Sequence, residues 1–331
     1  MNSDKKTRNI IVIIIIAVLL MAALGGYAAA KLKHREQPIE PTPAEDETQQ
    51  DETRQGIIEY KGQKYKLNRD IETALFLGVD YGSEEEEGSR IGTGQRADSI
   101  FLFIMDKTAK TTRVLSINRD TITDVDAYDE KGNPVYTKPM QITLQYSFGD
   151  SPGKSCFLMK RTVSRLLYET PIDGCISITL EGVNTIVDKL GGIDLTMPED
   201  YTYIDPRYTA GAEVKLSGPE VEHFIRYRDT DELGSNEKRM ERQSWLIGEL
   251  FRKLRAVGNS NMIEDLMNAA DDHIQSDLSG ETIKMISGFT MEGEILNLPG
   301  EYVSGDLHDE YHVDDEALKA LVVENFYIPA E

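Results

Sequence analysis

Apolar positions along the chain change rhythm three times. From residue 10 to residue 30 they are unbroken by any charged side chain, and these 21 positions at ~1.5 Å each cover ~31 Å. That length matches the hydrocarbon core of a bilayer, ~30 Å, so the run predicts one transmembrane helix. Lys5, Lys6 and Arg8 precede it and Lys31, Lys33 and Arg35 follow it, which orients it only weakly. A short tail, residues 1–9, is most simply kept in the cytoplasm, making the run a signal anchor with the bulk of the chain outside. Cleavage after Ala28-Ala29-Ala30 is the alternative, but the run exceeds the usual apolar core of a signal peptide.

Residues 31–55 carry seven acids and three prolines (Pro38, Pro41, Pro43) and almost nothing apolar. Such a segment cannot bury itself and is expected to be an extended tether. Beyond it the third rhythm begins with "IIEYKGQKYKL", whose alternation predicts a hairpin. Short apolar runs predict strands over 73–80, 99–106, 112–118, 175–180 and 193–197. Helical periodicity covers 154–169, 182–190, 219–227, 236–255, 263–271, 280–289 and 314–325. Strands interleaved with helices imply an α/β domain over 56–331, with a central mixed sheet covered by helices on both faces.

The turn "DKTAKT" makes the strands on either side of it antiparallel. If Asp106 faces Thr111, Asp98 lies opposite Arg119, which is followed directly by Asp120. If the strand ending at Asp80 also pairs antiparallel with the next, Asp80 and Arg96 arrive at the same end. Asp80, Arg96, Asp98 and Arg119 then share one mouth, whereas a parallel arrangement scatters them. Carboxylates suit a hard cation such as Mg²⁺ that keeps waters and takes substrate phosphate, and arginine forks suit phosphate oxygens. An ion-pair network that staples strand ends fits the same four residues.

A second cluster bears on that choice. "FIRYRDTDELGSNEKRMERQSWLIGELFRKL" carries Arg226 and Arg228, then Arg239, Arg242 and Gln243 at the start of a helix. Gln243, Leu246, Ile247, Leu250 and Leu254 form its buried stripe, and Arg239 and Arg242 continue that face. Inward-facing arginines at a helix N-terminus need a charged partner, either phosphate or the acids Asp229, Asp231 and Glu232.

The net charge of −22, from 36 basic and 58 acidic residues, argues against a nucleic-acid partner. Cys156 and Cys175 could form a disulfide outside the cytoplasm or remain two buried thiols. Glu84 to Glu87 reads as a solvated loop tip, and "HDEYH", with His308 and His312, as a loop rather than a zinc helix. Cys156, Phe157, Met159, Val163, Leu166 and Leu167 present an apolar surface that suits either a lipid tunnel or core packing.

The blocks "LFLGVD", "QRADSIFLF", "VLSINRDT", "YSFG", "TLEGVNTIVDKLGGIDL", "LSGPEVEHFIRYRDTD" and "KRMERQ", in this order, resemble the successive motifs of the LytR-CpsA-Psr family from about residue 59 onward. The resemblance implies a single-pass membrane protein with an extracytoplasmic α/β/α domain. It implies a phosphotransferase that moves an anionic or capsular glycopolymer from a polyprenyl-pyrophosphate carrier to peptidoglycan, with Mg²⁺ or Mn²⁺. A polyprenyl-pyrophosphate phosphatase and a noncatalytic lipid-linked glycan binder are the alternatives. By the same resemblance Asp80 and Asp98 surround the metal and acceptor, and Arg96, Arg119, Arg226, Arg228, Arg239 and Gln243 hold the pyrophosphate. Asp80, Asp98 and Arg119 are the expected catalytic residues. The chain departs from the family pattern at Asn118, where a proline is usual, at Gln141, where a lysine is usual, at Asp150 for glycine, and at Asn236 for an acid.

Overall fold

The computed structural model describes residues 56–80, 95–129, 131–227, 238–239, 242, 245–246, 249, 269–279, 281–282, 285–286, 289–293, 295–304 and 309–330. The expected membrane helix, the tether, Glu84 to Glu87, Arg228, Gln243 and His308 lie outside them. Among the described residues no helix is long and apolar enough to cross a membrane.

The N-terminal alternating segment folds as expected into β1 (Ile57–Tyr60) and β2 (Gln63–Leu67), antiparallel, and β2 is joined on its other side by the last strand, β16 (Tyr327–Pro329). The central sheet is built on β3 (Ile71–Asp80), β4 (Arg96–Asp106) and β5 (Thr111–Ile117). β3 and β4 run antiparallel, as do β4 and β5, with Asp106 opposite Thr111. Next to β3 lies the parallel strand β8 (Gly174–Thr179), flanked by β11 (Ile274–Ser276), and next to β5 lie β12 (Thr290–Met291) and β13 (Leu296–Asn297), both parallel to it. The mixed sheet expected from sequence is therefore present, with seven strands among the described residues.

Alternation along these strands divides the core in two. Leu75, Leu77, Ile100, Leu102, Ile104, Leu115 and Ile117 face α1 (Pro152–Leu166), α4 (Asp315–Phe326) and a 3-10 segment, Ile142–Phe148. Ala74, Phe76, Phe103, Met105 and Val114 face α2 (Leu180–Lys189), α3 (Gly218–Arg226) and the helical positions Trp245 and Leu246. Local chemistry sets the helix ends. Ser151 caps α1 ahead of Pro152, Ser217 and Glu220 form a capping box on α3, and Asp314 accepts a hydrogen bond from the Ala317 N–H at the start of α4. α1 stops short of the expected residue 169 because Tyr168 and Glu169 adopt left-handed backbone, with φ of 55° and 60°.

Several expectations are corrected, and open alternatives are decided. The strand expected over 193–197 is β9 (Ile193–Thr196), but it pairs only with β10 (Glu213–Leu216) in a two-stranded ribbon outside the central sheet. The turn at Gly191 and Gly192, both with positive φ, redirects the chain there. β6 (Ile122–Tyr128) and β7 (Pro134–Gln141) form a hairpin that apolar periodicity does not reveal, since β6 holds two aspartates and β7 is almost wholly exposed. The "HDEYH" region is not a loop at Asp309–Val313, which forms β15 and pairs with β14 (Gly300–Ser304). Cys156 and Cys175 are buried free thiols, and burial pushes Cys175 well above the ordinary thiol value. Cys156, Met159, Val163 and Leu167 pack into the core, while Phe157 points outward at 43% exposure.

The β6–β7 hairpin is held to α1 by Asp126, a buried carboxylate that accepts from Arg161, from Arg165 at 2.9 Å and from Thr137 at 2.6 Å. Burial pushes this carboxyl upward, but hydrogen bonds from Arg165, Thr137 and Arg161 outweigh burial and hold it below the ordinary aspartate value. Its contribution to stability is therefore fully present above the unfolded-state value of ~4 and fades as pH falls below it. Asp126→Asn is expected to cost about 2 kcal/mol at pH 7 in thermal or urea melts, with the gap from wild type closing below about pH 4.

Candidate active site

Four chain segments end at one end of the central sheet. β3 arrives with Asp80, whose backbone lies opposite Arg96 at the start of β4. Between Gly78 and Val79 the register shifts, so that Ser99 faces Gly78, Ala97 faces Val79, and Asp98 has no partner across the ladder. Asp98 is thus the extra residue of a β-bulge, a device that re-aims a side chain at a strand end. Gly78 suits this point because a Cβ there would lie 3.1 Å from that of Ser99. The bulge also explains why Ala97 and Ile100, three residues apart, both enter the same core face. Arg96, next to Ala97, alternates to the other face, the one covered by α3 and by Trp245 and Leu246.

β5 ends at Ile117, and the turn beyond it delivers Arg119. Its Nη1 forms a charge-assisted hydrogen bond with Asp98 Oδ1, and its Nε lies 3.4 Å from Asp120 Oδ1. The Arg119 and Asp98 side chains are 15% and 20% exposed, leaving each enough open surface to meet a ligand. The juxtaposition of Asp98 with Arg119 expected from the register is present. Asp120, bracketing Arg119 from its second side, extends the set assigned from the motifs; its adjacency to Arg119 in sequence is the one signal pointing to it.

Topology brings a further arginine to this end. β8 runs parallel to β3 and finishes at Thr179, opposite Val79, where Thr179 caps α2. α2 leads away; Asp188, near its far end, accepts from the Gly218 N–H at 2.7 Å, and α3 then returns antiparallel, with Asn184 bonded to Glu222. α3 ends at Arg226, back near the level of Thr179. Arg226 is exposed and pairs with Glu222 at 3.0 Å.

Arg242 plays a different part from the one its inward face implies. It is 3% exposed, yet its guanidinium donates to the carbonyls of Phe224, at 3.1 Å, and Tyr227, and approaches the Tyr203 hydroxyl at 3.4 Å. These are the orphan acceptors at the C-terminus of α3, where a cation is favoured by the helix dipole. Arg242 is therefore a clasp between two helices, and no phosphate is needed to explain its burial. Arg239, one turn earlier on the same helix, is half-buried with its Nε fully covered. Arg242, Trp245 and Leu246 form the inward face, so the buried stripe includes Trp245 beside the expected Leu246.

Among the described residues no three His, Cys, Asp or Glu side chains gather into a metal cluster. An all-protein cage is thus missing from them, whereas a cation that binds one or two carboxylates and completes its shell with water and phosphate needs no such cage.

The α/β sheet thus carries Arg96, Arg119 and the bulge-borne Asp98 at one end of its strands. The chain belongs to the LytR-CpsA-Psr family, whose model matches residues 36–320. It is 26% identical over 255 residues to the Bacillus subtilis polyisoprenyl-teichoic acid–peptidoglycan teichoic acid transferase TagV, covering 73% of this chain and 60% of that protein. It is also 26% identical over 227 residues to the Enterococcus faecalis transferase TagU, covering 69% of this chain and 68% of that one. The match to TagV thus spans less than two thirds of that relative. The fold is similar to the crystal structure of B. subtilis TagU, with a TM-score of 0.54 at 20% identity over 77% of this chain and 95% of that one. It is similar also to TagT bound to LI-WTA, with a TM-score of 0.53 at 17% identity over 77% of this chain and 89% of that one.

The two arginines on either side of the α3 terminus should separate in a denaturation experiment. Arg242→Ala is expected to lose about 2 kcal/mol, because it strands buried carbonyls, while Arg226→Ala, at an exposed ion pair, changes stability by less than about 0.5 kcal/mol.

Proposed function

We propose that this chain is a membrane-anchored, extracytoplasmic phosphotransferase that moves an anionic or capsular glycopolymer from a polyprenyl-pyrophosphate carrier to peptidoglycan. The observation that carries the proposal is the pairing of Arg119 with Asp98 at the strand end where β4 begins with Arg96. The similarity to TagV and TagU, both named polyisoprenyl-teichoic acid–peptidoglycan teichoic acid transferases, supports the same chemistry.

A diphosphate diester presents oxygens to the guanidiniums of Arg96, Arg119 and Arg226 in the bidentate geometry that arginine favours. Arg228, Arg239 and Gln243 are assigned to the same anion by their family motif. An acceptor sugar hydroxyl attacks the phosphorus that bears the glycan, and the bond from that phosphorus to the bridging oxygen breaks. Polyprenyl phosphate leaves with the electron pair, and the hydroxyl proton passes to Asp80 or Asp98 as general base. Fixed arginine charge stabilises the oxygens on which negative charge builds, usually the largest contribution in phosphoryl transfer. Asp80 and Asp98 would hold Mg²⁺ or Mn²⁺, and the ion would supply added positive charge for the diphosphate. Asp98 already holds Arg119 with one oxygen, so the same carboxylate orients the cationic side of the site.

The test is transfer of a labelled lipid-pyrophosphate oligosaccharide to peptidoglycan fragments by the full-length chain in detergent. Arg119→Ala should lower the rate by about 100-fold or more, and EDTA should abolish it until Mg²⁺ is restored. Label released as free glycan phosphate in the absence of acceptor would replace transfer by hydrolysis, and unchanged transfer by Arg119→Ala would remove the proposed site.

A further inference from the structure

We propose that the β14–β15 hairpin is a positioning element for the candidate site, and that Asn118 and Gln141 are the residues through which it sets the Arg119 guanidinium. The inference rests on the diphosphate-binding role of Arg119 given above. It starts from a coincidence: both positions depart from the family pattern, and both side chains bond to the same hairpin.

The hairpin has a firm footing. β13 lies parallel to β5, pairing Leu296 with Leu115, and the Leu298 N–H donates to the Ser116 carbonyl at 3.0 Å. The Tyr311 hydroxyl donates back to the Leu298 carbonyl at 2.7 Å. At Gly300 the strands approach so closely that a Cβ would lie 2.3 Å from the His312 carbonyl oxygen. The element therefore grows from the strand next to the one that carries Arg119.

From that footing it reaches the turn 118–121. The Tyr311 N–H donates to the Asp120 carbonyl at 2.9 Å, and Thr121 bridges to Tyr311. Asn118 Nδ2 donates to the Tyr302 hydroxyl at 2.7 Å, while Asn118 Oδ1 accepts from the Asp120 N–H at 3.0 Å. Only a side chain with both a donor and an acceptor can make these two bonds at once, and proline can make neither. Gln141 Nε2 lies 3.1 Å from both Asp120 Oδ1 and the Asp309 carbonyl. A lysine there would set a full charge against Asp120 in competition with Arg119. The neutral amide holds the carboxylate in place and leaves its charge to the guanidinium, 3.4 Å away. The connections run from the hairpin through Gln141 and Asp120 to Arg119, and from there to Asp98.

Calorimetric titration of the full-length chain in detergent with geranylgeranyl pyrophosphate separates positioning from folding. A purely structural loss lowers the fraction of binding sites, whereas a misplaced guanidinium weakens each site. Gln141→Met and Tyr302→Phe are expected to raise the Kd by about 5- to 20-fold at unchanged stoichiometry. Tyr302→Phe removes only a hydroxyl from a ring that is 43% exposed, so it keeps the test open if Gln141→Met fails to fold. On an Asp120→Asn background, Gln141→Met should weaken binding no further, because the two act in one relay. Wild-type Kd in both single variants, or additive losses in the double variant, overturns the relay while a strong loss in Arg119→Ala keeps the site. Wild-type Kd in Arg119→Ala removes the site reading and the relay with it.

Discussion

The ion pair between Arg119 and Asp98 is the contact on which the site depends. Two charges at 15% and 20% exposure lose much of their hydration, and that loss is tolerable only when each is met by an opposite charge or a hydrogen bond. The fold meets the condition with two irregular features. A bulge frees Asp98 from the ladder of β4, and the turn after β5 holds Arg119 between Asp98 and Asp120. The β4–β5 register sets Asp98 and Arg119 opposite each other on one face, and the bulge against β3 leaves Asp98 free of that second ladder.

Net charge makes this local arrangement matter more. At −22 the chain as a whole repels anions, so long-range attraction would not gather the proposed anionic substrate. In the proposed function, recognition comes from guanidiniums at hydrogen-bond range, supported by a rigid frame. The frame is the sheet itself, with apolar cores on both faces, and the α2–α3 pair that ends at Arg226. Arg242 belongs to the frame: it fixes the end of α3 by satisfying carbonyls that the helix leaves open.

The sheet was legible in the sequence because its central strands are buried on both faces and read as continuous apolar runs between turn signals. The register across "DKTAKT" followed from the length of the turn, and it brought Asp98 to Arg119. The β6–β7 and β14–β15 hairpins were not legible. β7 is almost entirely solvent-facing, and β15 is rich in acids, so neither carries a core-facing alternation strong enough to show. Arg242 illustrates a different gap. Periodicity gave its inward face, but the partners were backbone carbonyls, which any sequence supplies and no pattern marks. Asn118 and Gln141 stood out only as departures from a motif, and their shared hairpin is visible only in three dimensions.

The most direct test of the central claim is a crystal structure of the chain with geranylgeranyl pyrophosphate bound. Both phosphates are expected at the strand ends, with oxygens within ~3 Å of the Arg96 and Arg119 guanidiniums and Asp98 still holding Arg119 from the other side. A diphosphate lodged elsewhere, with the Arg119–Asp98 pair untouched by ligand, would contradict it.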